Sequence, residues 1–528
     1  MESHSRRLCR SGAMEAGEED RLSGLPDDLL HPILRDLPLK QAARTSALSW
    51  RWARARQWLR ALATSPVVDF TDRDFARSHP PAQAAATVGR YLQLHAAHGV
   101  PLEAFRVALD AFRVAPLVSP LGLGDGALGW EIIWWVATAV GKGAREVEVD
   151  LAPPPTQGEG DADHRSTALL GLPGDLFQAT NSLERLALGG FSLRAVPPAA
   201  AGLAGLRSLS LSHTDVTDEA VRGVLASCRA LESLSLRGCH LLSTVCVASK
   251  NLRALELVHC SAVRKIRVDA PALESFAFQG GIMDALDRDD FEDEIAVELG
   301  ATPALRDAYV SHLGLRIDQP PHDHNFYDNV FLYRVEHAQI LTLCSVGLQT
   351  LLDIDAYGHM PNLQELQLLM SPDEDDLEYV SSFFMMTAGF YAANRLPLLE
   401  RLFIRLLEDD PIGGGGAAAA LAGHDDGADV VLYEFVLGQL TFIKVVNFRG
   451  TRRELGLLRF LLKRAPVLEQ LVLVTPEAGG ALGDEELRNI QGQVSALQRA
   501  SPEARVTVCR PSEDDSLNPA HTRFYHEE

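Results

Sequence analysis

Between Leu206 and Phe278 one short pattern returns four times at nearly constant spacing, and nothing else in the chain constrains its fold as strongly. It reads Leu206-x-x-Leu209-x-Leu211, Leu231-x-x-Leu234-x-Leu236, Leu252-x-x-Leu255-x-Leu257 and Leu273-x-x-Phe276-x-Phe278, with steps of 25, 21 and 21 residues between the first leucines. The closing apolar pair has a period of two, so both side chains point to one face of a short strand. The leucine three residues earlier turns the corner into the same core. One such strand cannot bury its apolar face alone, so successive coils must stack as a parallel ladder around a shared core. The expected fold class is α/β, a solenoid with a parallel β ladder and helices on its convex side.

The step falls within the roughly 20 to 29 residues of a leucine-rich repeat, which the pattern resembles. Three residues beyond the last apolar position stand Thr214, Cys239 and Cys260, where such repeats place a side chain that satisfies turn backbone groups. An earlier coil begins at Leu183. Later ones recur at Leu305 to Val310, Ile340 to Leu343, Leu363 to Leu368 and Leu399 to Ile404. Towards the N-terminus the coils lengthen: a strand at Val67 to Phe70, a helix at Ala82 to Ala97, an imperfect copy of the pattern at Leu102 to Leu109, a helix at Trp130 to Ala139 and a strand at Arg145 to Leu151. The irregular solenoid spans residues 63 to 435, with Ala152 to Asp163, Gly280 to Glu298 and the Gly/Ala-rich Pro411 to Asp429 read as loops and Asp373 to Glu378 as a further acidic patch.

Residues 1 to 19 read as a disordered leader, and 20 to 62 as a dense helical segment. Pro26, Asp27 and Asp28 suit a helix start, because proline is tolerated in the first turn and carboxylates favour its positive end. Leu29, Leu30, Ile33, Leu34 and Leu37 follow before Pro38 stops the helix, and Pro32 is expected to kink it or split it into two turns. At about 100° per residue these apolar positions cover about 140°, wider than the roughly 100° stripe that packs on one neighbour. The helix therefore wants two surfaces. Some forty residues cannot bury such groups alone, so either the adjoining solenoid or a partner protein covers them.

The run Leu25-Pro26-Asp27-Asp28-Leu29-Leu30, Ile33-Leu34, Leu37-Pro38 and Ala43-Arg44-Thr45-Ser46-x-Leu48-Ser49-x-Arg51-Trp52 resembles the F-box of plant F-box proteins. The resemblance implies a three-helix module that binds the Skp-type linker subunit, and through it a cullin, of a cullin-RING ubiquitin ligase. By it Leu25, Pro26, Leu29, Ile33, Leu34, Leu37, Pro38, Ser46 and Trp52 occupy the linker-binding positions. Pro32, Ala53 and Arg56 depart from the motif. Near the other end, Leu440 to Gly450, a helix at Glu454 to Arg464, and Ala465-Pro466-Val467-Leu468-Glu469-x-Leu471-x-Leu473 resemble the FBD region of plant F-box/leucine-rich-repeat proteins. Residues 436 to 510 are read as this FBD-like cap closing the ladder, and 511 to 528 as a disordered tail.

The formal net charge of −22 argues against a nucleic-acid or anionic-membrane partner and allows a basic one. The arginines and tryptophans from Arg44 to Arg60 read as helix surface and core rather than a nucleic-acid patch. Seven cysteines, an odd number with no C-x-x-C pair, make no disulfide framework and fit the cytoplasm or nucleus. No nucleophile elbow, P-loop, dinucleotide fingerprint or zinc-ligand spacing is present. His322-Asp323-His324 reads as a wet loop rather than a metal site. The expectation is a non-enzymatic substrate-recognition subunit of an SCF-type ligase, without cofactor or metal, whose target presents a basic surface. The alternative is a repeat scaffold with a vestigial F-box.

Overall fold

The computed structural model describes residues 24–48, 60–71, 81–109, 127–151, 169–178, 182–194, 201–279, 296–311, 335–348, 360–370, 376–389, 396–407, 435–476 and 483–521, less 36, 38, 62, 264, 301 and 346. Fifteen short strands form one sheet whose spatial order follows the chain. It is parallel from Val67–Phe70 at one edge to Arg505–Cys509 at the other. Equivalent leucines pair across coils: Leu209 with Leu234, Leu234 with Leu255, and Leu255 with Phe276. Their inward faces merge with the helices Pro81–Ala97, Ala127–Gly141, Asp218–Ser227, Asp376–Gly389, Arg452–Leu462 and Asp484–Ser495 into one core that runs from Ala42 to Val508.

Five coils turn at the end of their strands through a left-handed residue. Gly190, His213, Gly238, His259 and Asn447 have φ of 78°, 50°, 57°, 52° and 63°. At Gly190 no side chain fits, since a Cβ would lie 3.1 Å from the Leu151 carbonyl carbon. One position on, the sequence expectation for the turn residues holds. The Cys239 thiol donates to Arg237 O at 3.5 Å, and the Cys260 thiol to Leu236 O and Val258 O, both at 3.5 Å. Burial and the neighbouring Cys239 push the Cys260 thiol up, which keeps it a donor. Before each strand, charges alternate in sign along the ladder, pairing Arg145 with Glu184, Arg207 with Glu232 and Arg253 with Glu274 at 3.9, 2.9 and 3.5 Å. Such exposed pairs contribute about 0–1 kcal/mol each, so they favour the register more than the stability.

Three sequence expectations change here. The helix Asp27–Arg35 runs through Pro32 without a break. The proline forfeits one hydrogen bond, to Asp28 O, and both residues lie on the exposed side where water serves the carbonyl. Glu298, read as the end of an acidic loop, stands in the strand Ala296–Leu299 of a second, three-stranded sheet with Lys265–Asp269 and Thr244–Ala248. There it pairs with Arg267 at 3.3 Å. The segment after Pro511, read as a disordered tail, is ordered through His521 and lies across the ladder.

The leader, His322-Asp323-His324, the Ala152 to Asp163 loop and the Gly413 to Ala420 run lie outside the described residues. Residues 436 to 510 carry the strands Phe442–Val446, Gln470–Val474 and Arg505–Cys509, which extend the main ladder and share its core. The N-terminal module is joined to the first coil by buried bonds. Ser65 Oγ donates to Arg35 O at 3.2 Å, and His95 Nε2 donates to Ser65 O at 2.8 Å. A carbonyl can only accept, so Nε2 carries the proton, and burial lowers the His95 pKa to keep the ring neutral.

Candidate functional site

The N-terminal helix uses its wide apolar stripe on two surfaces. Counting about 100° per residue from Leu29, Ile33 sits near 40°, Leu30 near 100° and Leu34 near 140°, and Leu37 follows just beyond the end of the helix Asp27–Arg35. Burial follows that angular order. Leu29 and Ile33 are 57% and 53% exposed and Leu30 and Leu34 are fully buried, with Leu37 half-buried. Leu30 and Leu34 pack with Ala61, flanked by Leu25 and Leu37.

Of the residues expected to bind a linker subunit, then, Leu29, Ile33 and Pro26 face solvent, Leu25 and Leu37 are shared, and Leu34 holds the module together. Ser46 falls in the 3₁₀ turn Thr45–Ala47, while Pro38 and Trp52 lie outside the described residues. The structure adds Leu48, 59% exposed, which the motif contains and which periodicity could not find because it stands beyond the helix.

A second surface is the outer face of the ladder. In the middle coils it carries small polar residues, Ser208, Ser210, Ser233 and Ser235. From the strand Asp307–Ser311 onward it carries Tyr309, Cys344, Leu369, Phe403, Phe442, Val472, Val474 and Cys509, all buried in a cluster separate from the main core. The segment after Pro511 crosses this floor. Lys444 Nζ, fully buried, meets Asp514 Oδ2 at 2.6 Å and donates to Leu517 O at 3.2 Å. Two strands away the Ala520 N–H donates to Glu365 Oε1 at 2.7 Å, and Glu365 Oε2 pairs with Arg401 Nε at 3.0 Å. The His521 ring lies 4.9 Å from that of Tyr309, with Nε2 3.5 Å from Asp307 Oδ2. No sequence signal announced this strap, because its contacts join residues as far apart as Glu365 and Ala520.

Three family models match the chain: an F-box domain at residues 22–55, the LRR repeats of the FBD-associated F-box protein At5g56370 at 135–307, and an FBD at 434–473. The chain carries an F-box, leucine-rich repeats and an FBD. Relatives in Arabidopsis thaliana are named for one or more of these parts. An F-box/LRR-repeat protein, At5g54820, is 23% identical over 93% of this chain and 98% of its own length. An F-box protein, At3g62230, is 23% identical over 88% and 93%. The F-box/FBD/LRR-repeat protein At5g53840 reaches 39% over a shorter stretch, 17% of this chain and 18% of its own.

Among the described residues of this F-box chain no group of three or more His, Cys, Asp or Glu side chains is placed to hold a metal ion, and no helix is long and apolar enough to cross a membrane. The strap's end holds an unusual titrating pair. Burial, reinforced by the Glu365 charge, raises Asp307 from 3.8 to about 7, and burial lowers His521 from 6.5 to about 4. The depressed His521 contributes stability that is full above pH 6.5 and lost as pH falls towards 4. The raised Asp307 does the reverse, so its contribution is full below pH 3.8 and lost as pH rises through 7. Across the window from 4 to 6.5 the two slopes cancel. His521→Asn leaves Asp307 alone, so the variant's stability relative to the parent should fall by about 1.4 kcal/mol per pH unit as pH rises through that window. Denaturant unfolding at pH 4.5 and 6.0 checks this, and parallel pH profiles would refute it.

Proposed function

We propose that the chain is the substrate-recognition subunit of an SCF-type ubiquitin ligase: its F-box binds a Skp-type linker, and through it a cullin, while the repeats hold a target protein. The carrying observation is that Leu29 and Ile33 stand bare on a helix whose other face is packed. Two leucine-sized side chains in water favour association, since each contributes about 1.5–3 kcal/mol on burial. Matches to an F-box model and to relatives named F-box proteins support the same reading.

On this reading the chain performs no chemistry. It raises the effective concentration of target lysines near the ubiquitin-loaded enzyme. We place its work in the cytoplasm or nucleus, from the free state of the six described cysteines. The acidity that favours a basic target belongs to the solenoid side of the chain, and the groove under the strap departs from it. The intact protein, added to a plant extract with the proteasome blocked, is expected to capture a Skp-type linker together with a cullin. Capture of neither would leave the repeat-scaffold reading in its place.

A further inference from the structure

We propose that the groove floored by Tyr309, Leu369, Phe403, Phe442 and Val472 is a binding site for an extended acidic peptide of a partner protein, which the chain's own Asp514–His521 strap occupies in its absence. Four features of the groove point to this.

First, the strap is held as a ligand is held. Among the described residues no backbone–backbone hydrogen bond joins 514–521 to the ladder. The polar grip comes from the side chains of Lys444 and Glu365, with Tyr309 and Asp307 at the end. Second, the strap suits its floor only in part, for Pro519 is buried but its neighbour two residues back is not. The floor is aromatic and aliphatic, yet Leu517, the strap's one large aliphatic side chain, points outward at 55% exposure. An occupant that turned an apolar side chain inward at that place would gain what the strap forgoes.

Third, cations outnumber carboxylates on this face. Arg401, Arg405, Lys444 and Arg505 stand on the outer face of the ladder against Glu365 and Asp307, in a chain of net charge −22. A fully buried lysine demands an anion, and Asp514 supplies one. Fourth, polar atoms at the far end await partners. Tyr309 Oη and Gln279 Oε1 are buried with no hydrogen-bond partner among the described residues. Both accept from an N–H, and the occupant's backbone has such donors to give.

A tethered segment competes at an effective concentration on the order of millimolar, so the free protein masks its own site from weak ligands. The inference stands apart from linker capture, because its readout is peptide binding. The probe is a fluorescent peptide of sequence EDDSLNPAH, corresponding to residues 513–521, measured by anisotropy against two full-length proteins. One is the parent and the other carries Asp514→Ala with Ala520→Pro, which removes the strap's anion and its N–H to Glu365. The variant should bind the peptide at least tenfold more tightly than the parent, and a peptide with both aspartates changed to lysine should not bind. Equal affinity for parent and variant, no binding to a folded variant, or equal binding of the lysine peptide would each overturn the proposal. Should the double variant fail to fold, Asp514→Asn alone is expected to give at least a threefold gain, and its absence counts equally against the site.

Discussion

Changing Leu29 and Ile33 together to aspartate should cost at least about a hundredfold in affinity for a Skp-type linker, with the fold intact. The two side chains project one turn apart from the same side of the helix Asp27–Arg35, and both are more than half exposed. If a partner covers the roughly half of each side chain still in water, that burial is worth about 1.5–3 kcal/mol together, and each 1.4 kcal/mol is a factor of ten. A carboxylate in the same contact adds a desolvation cost. Because both side chains are more than half exposed and lie outside the buried clusters, the variant's own stability should change by no more than about 0.5 kcal/mol per site. Leu34→Asp supplies the contrast. That side chain is fully buried beside Leu30 and Ala61, so a charge there should unfold the module and lose capture for a different reason. Titration of the purified linker, with circular dichroism on each variant, distinguishes the two. Undiminished affinity in the Leu29/Ile33 variant would remove the physical basis for the linker reading.

Lys444→Ala should destabilise the protein by about 3 kcal/mol and expose the strap to protease after Pro511. Removing one partner of a buried ion pair typically costs about 3–5 kcal/mol. The lower figure applies here because Asp514, 13% exposed on its side chain, can return to water by leaving the groove. A matched replacement of both partners, Lys444→Met with Asp514→Leu, should recover most of the loss, since an apolar pair of similar volume leaves no charge behind. Denaturant unfolding and limited proteolysis measure both effects. A Lys444→Ala variant within about 1 kcal/mol of the parent, with the strap still protected, would show that the pair does not hold the segment.

The N-terminal helix and the C-terminal strap mark how far the sequence could be read. The angular order of Leu29, Ile33, Leu30 and Leu34 is a property of the helix itself, and it already demanded two surfaces. Which end of that stripe the chain covers depends on where Ala61 and the first coil lie, and these are tertiary facts. Pro32 looked disruptive because propensity counts a lost hydrogen bond as a loss, without knowing that Asp28 O faces water. The segment after Pro511 looked disordered because its residues are polar and nonperiodic. It is ordered by partners 70 or more residues away, such as Lys444 for Leu517.

What the sequence determined by itself is the ladder. An apolar pair with a period of two, repeated every 21 to 25 residues through Phe278, can be satisfied only by stacking like positions on like, so strand order, direction and register all follow from chain order. The left-handed turn residues and the inward thiols recur for the same reason. The tertiary structure alone decided what the outer face is for. That face consists of the unspecified positions between the leucines, which carry no constraint from the repeat and acquire meaning only when coils distant in sequence set Tyr309, Glu365, Arg401 and Lys444 side by side. An apolar floor and a buried cation then require a cover, and the nearest length of chain with a carboxylate to offer is the one that follows the last strand.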